Sequence, residues 1–132
     1  METSLTEISE RLIACKGFRW MPGMRTLGEW RIINVDADGV EVVTDLGEVV
    51  LFHSGDMPHI ASSLPDLNDP ATLGCLLQLV REAWGMPTGI TVSYSSDDGL
   101  WGVSWSGATH GGWCGRGKTE AEALFVALEA AP

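Results

Sequence analysis

Apolar positions along this chain change period several times, and each change marks an element. Leu5, Ile8, Leu12 and Cys15 recur at helical spacing, which predicts a short amphipathic helix over 5–16. Ser4 opens it as a cap with Glu7 three residues on, and Gly17 marks its stop. From Glu29 the period becomes two. Glu29–Val35, Val40–Thr44 and Glu48–His53 are rich in β-branched and aromatic residues, with Asp38-Gly39 and Leu46-Gly47 as turns. That pattern predicts a three-stranded antiparallel meander.

Between Pro65 and Gly85 the helical spacing returns. Leu73, Leu76, Leu77, Val80 and Trp84 share a face that Leu79 and Ala83 widen. Asp69-Pro70 supplies a cap and a first helical position, Gly85 a left-handed stop, and Pro87 a block to resumption. Ile90–Ser95 and Leu100–Ser106 alternate around Asp97-Asp98-Gly99 as a hairpin, with Trp101, Val103 and Trp105 on one face. The glycine-dense stretch Ser106–Gly117 reads as a loop in which Trp113-Cys114 forms a short third strand. Thr119-Glu120-Ala121-Glu122 is a second capping box, opening a helix with Ala121, Leu124, Phe125 and Leu128 aligned.

The expected fold is α+β. It has an N-terminal helix and three-stranded antiparallel meander, then helix–β-hairpin–short strand–helix, with helices packed on an antiparallel sheet. The 132 residues read as one domain with sub-structures 1–53 and 65–132, joined by a loop over 54–68.

Composition adds one strong constraint. Hydrophobic residues at 45% and charged residues at 20% are ordinary for a globular chain, but 18 acids against 8 bases leave a net charge of −10. Phosphate attraction dominates nucleic-acid affinity, so direct binding of DNA or RNA is not expected. The acids are scattered along the chain. They suit a solvated surface or a partner protein with a basic surface, an acidic mimic of nucleic acid being one version. Cys15, Cys75 and Cys114 are odd in number and widely spaced, which predicts no disulfide framework and a reducing cytoplasm. No basic-then-apolar leader opens the sequence and no apolar run is long enough for a membrane span, so no membrane association is expected.

Several motifs promise chemistry. Gly112–Thr119, GWCGRGKT, fits the spacing of a phosphate-binding loop. That loop needs a buried strand before it and further parallel strands carrying a magnesium-binding acid, and only 13 residues follow Thr119. A weaker expectation survives: Gly111, Gly112, Arg116, Lys118 and Thr119 form a candidate anion or nucleotide site at a helix start. Asn34, Asp36, Asp38, Gly39 and Asp45 have calcium-loop spacing, but their flanks are strands and Asp38-Gly39 is explained by a turn. His53, His59, His110, Cys75 and Cys114 lack any paired metal-ligand spacing, so no metal and no cofactor is expected. His110 and Cys114 are the one weak Cys–His pairing, and no acid is placed to orient the imidazole. No catalytic residues are assigned. Among the aromatic and methionine residues, Trp84, Trp101 and Trp105 suit the core, while Trp20, Met21, Met24, Trp30 and Trp113 are candidate partner contacts.

Two strings carry a family resemblance: LPDLNDPATLGCLLQLVREAWG and, later, GRGKTEAEALFVALEAAP. They resemble small bacteriophage and prophage proteins, and the element order is similar to the domain called the phage ABA sandwich. The resemblance covers Leu64–Pro132, about half the chain, through Pro65, Asp66, Asp69, Pro70, Leu73, Trp84, Gly85, Gly117, Thr119, Glu122 and Leu124. It implies a phage-encoded accessory protein and brings no catalytic residues with it. The helix–three strands–helix order is also similar to double-stranded RNA-binding domains. Where those place cations, this chain has Thr119-Glu120-Ala121-Glu122, which argues against RNA.

The expected function is therefore that of an acidic phage accessory protein that binds a host protein without catalysis, as an inhibitor of a host defence system. One alternative is a nucleotide-sequestering protein using the glycine stretch. The other is a virion or replication accessory protein with a structural role.

Overall fold

The computed structural model describes residues 4–53, 63–106 and 111–132. His59, His110 and most of the predicted 54–68 loop lie outside the described residues. By their contacts, residues fall into two units: Arg19–Cys75, and Met1–Phe18 together with Leu76–Pro132.

The Arg19–Cys75 unit is built on the predicted meander. Strands β1 (Arg31–Asp36), β2 (Gly39–Val43) and β3 (Val49–His53) pair antiparallel in the order β1-β2-β3. Ile32, Val40 and Val42 are fully buried on one face. Asp36 accepts the amide of Asp38 at 2.9 Å, an Asx turn that closes the first hairpin one residue earlier than Asp38-Gly39 suggests. Gly47, at φ +83°, ends the second turn where the Gly47 amide bonds Thr44 O at 3.0 Å. The residues that lead into β1, Trp20–Arg25, form a connector that is partly strand-like. Ile32 donates to Met24 O at 2.8 Å, and Gly23 donates to Ile32 O at 2.8 Å. The free side of β1 is thereby covered.

Asp69 sits where this unit passes into helix α2 (Pro70–Ala83). Its carboxylate accepts the Thr72 amide at 3.0 Å and the Thr72 hydroxyl at 2.9 Å, so it is the predicted cap. It also takes the Arg31 guanidinium, at 2.8 and 3.2 Å. Thr72 is itself fully buried, with its hydroxyl accepting the Arg25 amide at 2.9 Å. The apolar pattern assigned it no role.

In the other unit, helix α1 (Leu5–Ile13) is capped by Ser4, which accepts the Glu7 amide at 3.2 Å. It lies against α3 (Glu120–Glu129), where Arg11 pairs with Glu129 at 3.0 Å and covers the Phe125 ring at 4.9 Å. Helix α2 ends as predicted. Gly85, at φ +67°, donates to Glu82 O, and Met86 donates to Arg81 O at 2.9 Å, a Schellman pair.

Strands β4 (Ile90–Ser95), β5 (Leu100–Ser106) and β6 (Gly111–Gly117) form the second antiparallel sheet, in that order. The third strand is longer than Trp113-Cys114, and its glycines explain why the sequence reads as loop. Helix α3 packs on β6 and β5. A Cβ at Gly115 would lie 2.5 Å from the Ala127 nitrogen, and one at Gly117 would lie 2.9 Å from the Ala123 nitrogen. These glycines let a helix backbone approach a strand backbone, a use that local propensity does not register. Trp84 ties α2 to α3 by donating its indole N–H to Ala127 O at 2.8 Å.

Candidate functional site

The candidate anion site is not assembled. Gly111 and Gly112 begin β6, while Gly117 faces α3 and Arg116 points to the opposite side of the sheet. There Arg116 pairs with Asp98, and its guanidinium lies 4.7 Å from the centre of the Trp113 ring. Thr119 is committed as the α3 cap, accepting the Glu122 amide at 3.0 Å. The Glu122 carboxylate in turn accepts the Lys118 amide at 3.3 Å. The helix start is thus occupied by the chain's own hydroxyl and carboxylate, where an incoming anion would meet negative charge.

The candidate partner contacts separate in the same way. Met24 is fully buried and belongs to the core of its unit, so it is corrected from contact to packing. Met21 is half-buried, with its amide 3.4 Å from the Met24 sulfur. Trp30 is half-buried against Phe52, ring centres 5.5 Å apart, and Trp20 is likewise half-buried. Trp113 alone of the five is exposed, at 52%. Its ring lies across Gly102 on the neighbouring strand, which a side chain there would displace. Covering an otherwise bare glycine backbone accounts for much of its placement.

The three thiols are free. Burial is the main cause that pushes the pKa of each upward. Glu129 adds to this at Cys15 and Asp69 at Cys75, opposed by Arg11 and Arg31 respectively. A thiol shifted in this direction is less ionised at neutral pH and so a weaker nucleophile than free cysteine. Alkylation by iodoacetamide at pH 7.5 is expected to run slower at all three thiols than for free cysteine. A thiol labelled as fast as free cysteine would contradict this. Cys15 lines a cleft of about 540 Å³ with Arg11, Lys16, Ala83, Leu128 and Glu129, but the Arg11–Glu129 pair is satisfied internally.

The surface that stands out belongs to the meander, and it was not singled out from the sequence. Val49 is 59% exposed, Leu51 41%, and Leu46, at the tip of the second turn, 81%. Val50 and Phe52, on the other face of β3, are half-buried. The signal was present in the run Val49-Val50-Leu51-Phe52: an antiparallel strand with one wet face should alternate, and this one is apolar on both. Acids surround the patch. Residues 29–53 hold Glu29, Asp36, Asp38, Glu41, Asp45 and Glu48 against one base, Arg31, which is half of the chain's net charge of −10, although Glu29 is paired with Arg25 at 3.2 Å. Glu41 pairs directly across from Leu51, and Asp36, Asp38, Asp45 and Glu48 are exposed. The Arg31 guanidinium is held by Asp69 and Gly23 O, so it does not neutralise the rim.

No helix among the described residues is long and apolar enough to cross a membrane, and no group of three or more metal-capable side chains occurs among them. Compared with models of known families, with curated proteins and with solved structures, the chain matches none.

Proposed function

We propose that this protein is a phage-type accessory factor that works by binding, without catalysis. Its partner is a host protein with a cationic, partly apolar surface, whose action it blocks, as an inhibitor of a host defence system would. The observation that carries the binding is the exposed pair Val49 and Leu51 in a meander whose exposed Asp36, Asp38, Asp45 and Glu48 make it acidic. Apolar anchors provide affinity while the surrounding charge selects and steers a basic partner. The phage setting rests on the resemblance of Leu64–Pro132 alone.

Immobilised wild-type protein is expected to retain from bacterial lysate a protein that about 0.5 M salt elutes. The double variant Val49→Lys/Leu51→Lys, which alters only exposed side chains, is expected to retain at least about tenfold less. Identical captures by the two baits, with the variant folded by circular dichroism, would sink the reading.

A further inference from the structure

We propose that β3 is a docking strand: its free edge pairs, backbone to backbone, with an extended partner segment that alternates apolar and basic residues. This rests on the binding reading above and adds the mode of recognition.

The argument begins with the hydrogen-bond phase of the β2–β3 hairpin. Thr44 donates to Glu48 O at 2.8 Å, which makes 44/48 a bonded pair. Bonded and non-bonded pairs alternate in an antiparallel ladder. With Val42 opposite Val50 and Val40 opposite Phe52, those pairs are bonded too. The N–H and C=O groups of Val49, Leu51 and His53 therefore point away from β2. The sheet order ends at β3, and no backbone bond to these three groups occurs from a described residue outside the sheet. Among the described residues they form a row of donors and acceptors, at strand spacing, with no backbone partner.

Protein edges are normally blunted by proline, lysine, a bulge or a covering segment. The opposite edge follows this rule, since β1 carries a bulge at Ile33 and is covered by Gly23–Arg25. By contrast, β3 has no proline, no lysine and an unbroken register. Among the described residues it is an uncovered template flanked by apolar side chains, the arrangement that strand addition uses.

Charge decides the occupant. A second copy would set one acidic meander beside another, and like charges across adjacent strands repel. Lysine or arginine at alternate positions of an added strand would instead fall on the face opposite Val49 and Leu51, toward Glu48 at the start of β3, while its apolar residues lie beside Val49 and Leu51. The side chains on the paired side of such a strand follow a period of two.

The test uses the full protein and an acetylated, amidated heptapeptide alternating lysine and valine, followed by fluorescence anisotropy. The peptide is expected to bind, and a glutamate-for-lysine version is not. N-methylation of one alternate set of its amides should weaken binding at least about tenfold, and of the other set less than about twofold, because only alternate amides face β3. Leu51→Pro should also weaken binding at least about tenfold while the fold persists, since the amide it removes points outward. Failure of the unmodified peptide to bind overturns the proposal. So does equal tolerance of both methylation patterns. In that second case, loss of binding to Val49→Lys/Leu51→Lys would leave the acidic, apolar surface standing and remove only strand pairing. A dimer in sedimentation that Leu51→Pro dissolves would make a second copy the occupant, and would overturn it as well.

Discussion

Gly115→Val is expected to destabilise the protein by about 3 kcal/mol or more, and to lower its melting midpoint by about 10 °C. A Cβ at this position would lie 2.5 Å from the Ala127 nitrogen, 2.7 Å from the Ala123 oxygen and 2.9 Å from the Ala127 Cα. All three are backbone atoms of α3, so no side-chain rotation relieves the contact. The helix has to lift from β6, and the buried Ala123, Leu124, Ala127 and Leu128 then lose packing. Gly115→Ala carries the same Cβ and should show most of the effect. Gly74 is the control. It lies within α2 with nothing near its Cβ position, so Gly74→Ala should stabilise by about 0.5–1 kcal/mol. Thermal melts read all three, and a Gly115→Val midpoint within about 2 °C of wild type would mean that helix and strand do not meet so closely.

Asp69→Ala is the second large effect, at about 2–3 kcal/mol. Asp69 is only 9% exposed, caps α2 through Thr72 and holds the Arg31 guanidinium. Its removal leaves two helix donors and a cation without their partner. Arg31 remains 39% exposed, so water recovers part of that loss and the cost stays below that of a fully buried pair. Burial pushes the Asp69 pKa upward, but hydrogen bonds from Arg31 and from the Thr72 hydroxyl and amide outweigh it, holding the carboxyl below its usual value. A folded-state pKa below the unfolded one means stability that is full above the unfolded value, near about pH 4, and lost as pH falls through the folded value. Asp69→Asn should therefore differ most from wild type at neutral pH, and the gap should narrow in acid. Urea midpoints at about pH 7, 5 and 3 measure it. A gap unchanged by acid would show that the carboxylate charge is not what stabilises the site.

The two residues illustrate opposite degrees of legibility. Asp69-Pro70 is readable as a cap because capping is a local affair of side-chain reach and adjacent amides. Its partner Arg31 lies far away in sequence, and no local rule pairs them. Gly115 is the reverse case. Its conformation needs no glycine, and the requirement comes wholly from a helix that arrives later in the chain, so GGWCGRG reads as a loop or an anion cradle.

The candidate site divides along the same line. Trp113 is exposed, as a partner contact should be, yet its ring covers Gly102. Met24, singled out for adaptability, is core because β1 bonds the connector and draws that methionine inward. Val49 and Leu51 carry no local mark of exposure, because an apolar strand residue ordinarily packs into a core.

By itself, then, the sequence determined the helices, the strands, their caps and turns, and the α+β class, along with the acidity of the meander. These follow from hydrogen bonds within a few residues, from side-chain period and from counting charges. Only tertiary structure decided which apolar residues remained in water, why β6 is glycine, and that α1 packs with the C-terminal elements. Burial and edge pairing depend on neighbours distant in the chain, and an amphipathic stripe specifies that a face must be covered without naming what covers it. The run VVLF shows the consequence: its composition promises two buried faces, and the fold covers only one.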